Sequence, residues 1–367
     1  MPASSPNDPR PYDALLLLSF GGPEAPEDVV PFLRNVTRGR GIPDERLAEV
    51  GEHYFGFGGR SPINDQNRAL LGAIEGDLAA QGLEIPVYWG NRNWDPYLRD
   101  TLQRMADDGV ERAAVFVTSA YSSYSGCRQY REDLAGAAAE VDGAPRLDRL
   151  RAYFNHPGFI EPMIDNTLAA LSELGEQAAS PQLVFVTHSV PRTYDETSGP
   201  EGHAYVTQHE SVRAEVVKGV EARMGSAFEH HLVYCSRSGA PGTPWLEPDV
   251  NDKLAELADN GVEAVVVIPI GFVSDHMEVA YDLDVEASGT AARLALAFAR
   301  AGTCGTDPRF VALVSDLLLE RASAERGEQL ARTACGSLPA AWDLCLERCC
   351  PNPRAPKPAL GEVASYG

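Results

Sequence analysis

Short apolar runs recur along this chain, each closed by glycine, proline or a polar turn and followed by a segment with helical spacing. Residues 13–20 (DALLLLSF), 85–90 (IPVYWG), 112–119 (RAAVFVTS), 182–187 (QLVFVT), 230–236 (HHLVYCS) and 262–268 read as buried strands, with 150–154 a further one. Helices are expected over 24–39, 66–81, 96–109, 157–175, 205–224, 249–259, 287–300 and 307–325. Strands alternating with helices imply parallel sheets wrapped by helices. The rhythm restarts near 150–180, which predicts an α/β chain of two doubly wound domains, 12–160 and 161–325. They are flanked by a polar stretch over 1–11, read as disordered, and a Cys- and Pro-rich tail over 326–367. The end of that tail, from Pro351, also reads as disordered. Ligands in such folds sit beyond the carboxyl ends of the strands.

The stretch 261–290 draws the eye first. Val265–Ile268 is a buried run, and the segment after it carries Glu278, Asp282 and Glu286, spaced to share one face of a helix. Like charges at that spacing repel, so the file is either a cation or proton-transfer site or an acidic face turned to solvent. His188 directly follows its own strand and occupies the same topological place one unit away. An imidazole suits borderline divalent metals and carboxylates are harder oxygen ligands. Together the two would hold a metal or strip protons from a substrate. No closed zinc pattern of His-x-Glu-x-x-His or Cys-x-x-Cys is present.

Charge narrows the field. Lys plus Arg is 31 against 53 for Asp plus Glu, a net −22, which argues against nucleic acid and against charge-driven docking on an anionic membrane. No apolar run is long enough for a transmembrane helix, and the run 14–18 is too short for a signal peptide, so a cytoplasmic protein is expected, and it is expected to act as a monomer. Seven cysteines, four of them beyond residue 334, favour metal or cluster ligation over disulfides in such a compartment. The turn Arg38-Gly39-Arg40-Gly41 is basic, suited to an anionic substrate or simply a surface turn. Ser61, in the glycine-rich 56–67, is placed to cap a helix or bind an oxyanion.

Seven motifs carry a resemblance: LLLSFGGPE, FGGRSPIN, GNRNW, SSYSGCRQY, VFVTHSVP, SRSGAPGTPWLEPDV and IPIGFVSDHMEVAYDLD. Over about 13–315 the chain resembles the ferrochelatases, most of all the actinobacterial type that works on coproporphyrin III. The resemblance implies two Rossmann-like, chelatase-like domains with a porphyrin cleft between them. It implies a lyase that inserts Fe²⁺ into coproporphyrin III with release of two protons, feeding downstream haem-pathway enzymes. A protoporphyrin IX ferrochelatase and a non-catalytic haem or porphyrin carrier are the alternatives. By the motif match His188 and Glu278 form the metal-site and catalytic pair, and Asp282 and Glu286 continue the acidic file. Ser61, Tyr130, Arg38, Arg40 and Phe20 fall at porphyrin-binding positions, with Arg92 a further candidate for the extra propionate charge. Phe20 stands where some members carry a tyrosine able to reach the iron, and a phenyl ring cannot ligate. Tyr121, Tyr124 and Trp245 are candidate walls for a flat ligand. Many relatives of this type bind a [2Fe-2S] cluster through C-terminal cysteines, sometimes with one internal. That implies Cys335, Cys345, Cys349 and Cys350, with Cys127, Cys235 or Cys304 as substitutes because Cys349 and Cys350 are adjacent.

Overall fold

The computed structural model describes residues 7–39, 41–175, 180–237, 242–328 and 331–364. Arg40 and residues 238–241 of the SRSGAP motif lie outside them. Strands β1 (Ala14–Ser19), β2 (Val87–Asn91), β3 (Arg112–Val117) and β4 (Arg146–Arg149) form one parallel sheet in the order β2-β1-β3-β4. Strands β5 (Gln182–His188), β6 (His230–Cys235), β7 (Ala264–Ile268) and β8 (Ala297–Arg300) form a second in the order β6-β5-β7-β8. In each sheet the chain leaves its first strand to one side and returns on the other. The topological switch points therefore lie between β1 and β3 and between β5 and β7, where α/β sheets bind ligands.

Helices α1 (Val29–Val36), α2 (Asp44–Phe55) and α3 (Ile63–Ala80) join β1 to β2, α4 (Leu98–Asp107) joins β2 to β3, and α5 (Gln129–Ala139) joins β3 to β4. Helix α6 (Pro157–Leu174) crosses to the second sheet. There α7 (Arg192–Glu196) and α8 (Ala204–Met224) follow β5, α9 (Val250–Asp259) follows β6, and α10 (Met277–Tyr281) and α11 (Ser288–Arg293) follow β7. Helix α12 (Pro308–Glu325) ends the series and packs back on α3 and α6. Its start is set locally: Asp307 accepts the Arg309 N–H at 2.9 Å, and Pro308 spends no donor in the first turn.

The strands are apolar on both faces because both faces are covered. Leu15 and Leu17 of β1 enter one core, Leu16 and Leu18 another, and all four are fully buried. Likewise Leu183 and Phe185 of β5 join the first core while Val184 and Val186 pack beneath α9 and α11. The first core is thus shared by both sheets, with α6, α8 and α12 filling the space between. Each fully buried leucine contributes about 1.5–3 kcal/mol, so a one-residue slip of β1, which would exchange its two faces, is strongly disfavoured.

Several elements differ from the sequence expectation. Helix α2 was not anticipated, because only Leu47 and Gly51 of it are buried and the apolar stripe is narrow. Helix α5 lies where the sequence pattern had assigned no element. The fourth strand is Arg146–Arg149, not 150–154: the β3 ladder ends there, and Leu150, Tyr153 and Phe154 are apolar because they continue into the shared core. The Ala-rich 287–300 is not one helix. It breaks after Arg293 and resumes as edge strand β8. The tail from Pro351 to Ala364, expected to be disordered, lies against the first half. Asn352 bonds Glu132 at 2.8 Å, Arg128 bonds the Lys357 carbonyl at 3.1 Å, and β9 (Cys345–Leu346) pairs with β10 (Glu362–Val363). Among the described residues no helix is long and apolar enough to cross a membrane.

Candidate active site

Both switch points open on one cleft of about 690 Å³. Gly271, just past β7, makes the second one possible: a Cβ there would lie 2.2 Å from Thr187 Oγ1 and 2.7 Å from its Cα. Only glycine lets the loop after β7 press against the end of β5. His188, the last residue of β5, then meets Glu278 at the start of α10, Nε2 to Oε1 3.5 Å. The imidazole is oriented from behind. Its Nδ1 donates to the Ser189 carbonyl, and its own carbonyl accepts from Tyr205 Oη at 2.7 Å. Glu278 is fixed by its backbone, whose N–H is capped by His276 Nδ1 at 3.2 Å.

Both side chains keep access to the cleft, 33% and 46% exposed. Burial opposes charge on His188, but the Glu278 charge and hydrogen bond outweigh it and raise the imidazole to about 9. Burial likewise works against ionised Glu278, and His188 overrides it and holds the carboxyl below its ordinary range. The shifts favour an imidazolium–carboxylate pair. Behind it Asp282, bonded to Ser236 Oγ, is pushed up to about 7, chiefly by burial and then by the charges of Glu278 and Glu286. Glu286 is exposed. The three acids do not follow one straight helical face as expected, because α10 passes at Asp282 into a π turn, Asp282–Ala287, which rotates the later residues. Of the three, only Glu278 lines the cleft.

The first half supplies the facing surface. Phe20, after β1, packs edge-on to Phe32 at 6.2 Å, and Phe32 does the same to Tyr54 and Trp94. Ser61 and Tyr130 both line the cleft and are nearly buried. Arg92 stacks 4.3 Å from the Tyr130 ring centroid and pairs with Asp133 at 2.5 Å, so its charge is already matched. Arg38 is exposed, bonded to Asn35, and off the lining, although its neighbour Gly39 is on it. Trp245 lines the cleft. Tyr121 lines it too, stacked on His209 and bonded to the Ile270 carbonyl, whereas Tyr124 packs edge-on to Tyr194 and is not on the lining. The sequence reading missed Tyr54, His276 and Arg354 as lining residues. His276 sat in plain view beside Glu278, whereas nothing local marked Arg354.

A family model for ferrochelatase matches residues 12–322. The chain belongs to the ferrochelatase family. It is 60% identical to the coproporphyrin III ferrochelatase of Streptomyces griseus subsp. griseus, over 98% of each chain. It is 55% identical to that of Frankia alni, over 93% of this chain and 87% of the other. Among solved structures, the sirohydrochlorin chelatase SirB from Bacillus subtilis subspecies spizizenii, in complex with cobalt, is 11% identical. That match covers 86% of this chain and 97% of the other, with a TM-score of 0.49.

This ferrochelatase-family chain also gathers thiols away from the cleft. Cys127, on the π turn after β3, contacts Cys345, which contacts Cys349, whose Sγ lies 3.7 Å from that of Cys350. Cys335 is apart, its N–H bonded to Asn155 and its thiol beside Glu215, and Cys235 and Cys304 are buried elsewhere. The set expected from sequence is thus divided, with Cys127 standing in for Cys335. Among the described residues no three His, Cys, Asp or Glu side chains converge on one point as a mononuclear metal site would require.

Proposed function

We propose that this chain inserts Fe²⁺ into coproporphyrin III, as a cytoplasmic monomer whose product passes to downstream haem-pathway enzymes. The observation that carries the reading is the His188–Glu278 pair, 3.5 Å apart, on the lining of a cleft that Phe20, Phe32, Tyr54, Tyr130 and Trp245 also line. Metal insertion exchanges two pyrrole protons for one dication, so the site must accept both charge types in turn. An imidazolium can neither ligate nor take a proton. Fe²⁺ arriving at the Glu278 carboxylate cancels the charge that holds His188 protonated. The imidazole then sheds its proton and is free to take one from the macrocycle, so metal arrival and basicity are coupled. Asp282, poised near neutrality, receives protons, and exposed Glu286 returns them to water.

The thiol set fits a [2Fe-2S] cluster. A binuclear cluster divides four thiolates between two irons and does not need them around one point. Its buried negative charge calls for cations and N–H donors. Arg149 Nη1 already lies 3.3 Å from Cys127 Sγ, Trp342 Nε1 lies 3.2 Å from Cys345 Sγ, and the Gly199 N–H points at Cys350 Sγ at 3.2 Å. Both Nη atoms of buried Arg131 and Nε of Arg149 have no partner among the described residues. Cys127, Cys345, Cys349 and Cys350 would hold the cluster, which supplies one-electron redox chemistry and a tie between tail and body when bound.

Anaerobic assays with Fe²⁺ test the function. A higher kcat/KM for coproporphyrin III than for protoporphyrin IX is expected. The reverse order makes the chain a protoporphyrin enzyme, and tight porphyrin binding without metal insertion makes it a carrier.

A further inference from the structure

A substrate bearing several carboxylates must enter a protein of net charge −22. The long-range field opposes it, so a local cation in the cleft has to offset that repulsion. Of the guanidiniums expected in this role, Arg92 is neutralised by Asp133, Arg38 is off the lining, and Arg40 lies outside the described residues. Arg354 comes from the C-terminal tail, yet it lines the same cleft as His188 and Glu278. It is exposed, and among the described residues it forms no ion pair with any carboxylate.

Its position is built. The Asn352 side chain accepts the Arg354 N–H at 3.0 Å and that of Ala355 at 3.4 Å, closing a turn. The same side chain donates to Glu132 at 2.8 Å, and Glu132 is itself held by Arg128 at 3.2 Å. Upstream, Cys350 is anchored through its N–H to the Thr197 carbonyl at 3.2 Å. Downstream, Arg128 holds the Lys357 carbonyl. The strap is therefore tied on both sides of the residue that reaches the cleft.

We propose that Arg354 is a substrate-binding residue that pairs with a peripheral carboxylate of the tetrapyrrole, carried to the cleft by the tail. The identity of the ligand rests on the function proposed above. A guanidinium matches a carboxylate in two parallel hydrogen bonds, and this one is free to do so.

The test is a fluorescence titration of the full-length protein with coproporphyrin III and with its uncharged tetramethyl ester, alongside steady-state iron insertion. R354Q is expected to raise Kd and KM for the acid about tenfold, as loss of a charged hydrogen bond in a half-open site implies, and to change the ester's Kd less than twofold. R354K should recover part of the loss, and N352A should fall between. Equal weakening for acid and ester would reduce Arg354 to a packing role, and a Kd for the acid within twofold of the unaltered chain would overturn the proposal outright. Should R354Q not fold, the acid-to-ester Kd ratio of R354M, which likewise removes the charge, gives the same decision. If the unaltered chain binds the acid but inserts no iron, the proposed activity fails while the titration still decides for or against Arg354.

Discussion

Thr187 and Gly271 touch across the gap between β5 and β7, and that contact brings His188 to within 3.5 Å of Glu278. The approach is closed to any side chain, since an added Cβ would meet backbone as well as the Thr187 hydroxyl. G271A should therefore lose about 1–3 kcal/mol of stability, seen as a lower urea midpoint, and lose iron insertion beyond what its unfolded fraction explains. Normal stability and normal kcat/KM in G271A would mean the close approach does not position the pair.

Glu278 holds His188 protonated, so E278Q should lower the imidazole from about 9, since burial, the largest influence, is then opposed only by the Ser189 carbonyl bond and the Asp282 charge. NMR titration of the ring protons reads this directly. Iron insertion should fall by roughly 10²–10⁴-fold, the usual scale for removing a positioned proton-transfer partner, while porphyrin binding changes far less. An unshifted His188 would remove the proposed coupling between metal arrival and basicity.

Stability against pH separates His188 from Asp282. The folded-state pKa of His188 is raised from 6.5, so its stabilising contribution is complete below 6.5 and is lost as pH climbs through about 9. Asp282 shifts in the same direction but for a different reason, burial of the carboxyl in place of a partner's charge. Its folded-state pKa is raised from 3.8 to about 7, so the folded protein binds the proton that the unfolded chain has released, and stability falls across that window as pH rises. D282N keeps an oxygen to accept from Ser236 but cannot ionise. Its Tm relative to the unaltered protein should rise between pH 4 and pH 8, and a difference independent of pH would place Asp282 ionised throughout.

What could be read from sequence followed from physics that acts locally. Strands β1, β5 and β7 announced themselves because a parallel strand covered on both faces must be apolar throughout. His188 and Glu278 were legible because each follows such a strand. Edge strand β8 was not, since Ala297 is exposed, only Ala299 is buried, and an Ala-rich run reads as helix. The π turn at Asp282 left no mark in the spacing of the acids. The tail was misread for a different reason. Its proline-rich composition has little core of its own, and what orders it is supplied from far away by Arg128 and Glu132. Arg354 was invisible for the same cause.

The thiols make the sharpest discrimination between composition and structure. Counting cysteines near the C-terminus points to Cys335, but Cys127 approaches Cys345, and the partnerless guanidinium edges of Arg131 and Arg149 lie beside them. The hydrogen bond with Cys345 and burial keep the Cys127 thiol neutral, so cluster assembly must release its proton and should weaken on acidification. Protein purified without oxygen should show the visible absorption and, after dithionite, the EPR signal of a [2Fe-2S] centre. C127S, C345S, C349S and C350S should each lose most of it, while C335S and C304S keep it. R131Q should leave the four thiols in place yet shift the reduction potential downward, since a cation beside the cluster favours the more negative reduced state. A C335S variant without the signal, paired with a C127S variant that retains it, would reverse the assignment and show that the tail adopts another arrangement when the cluster is bound.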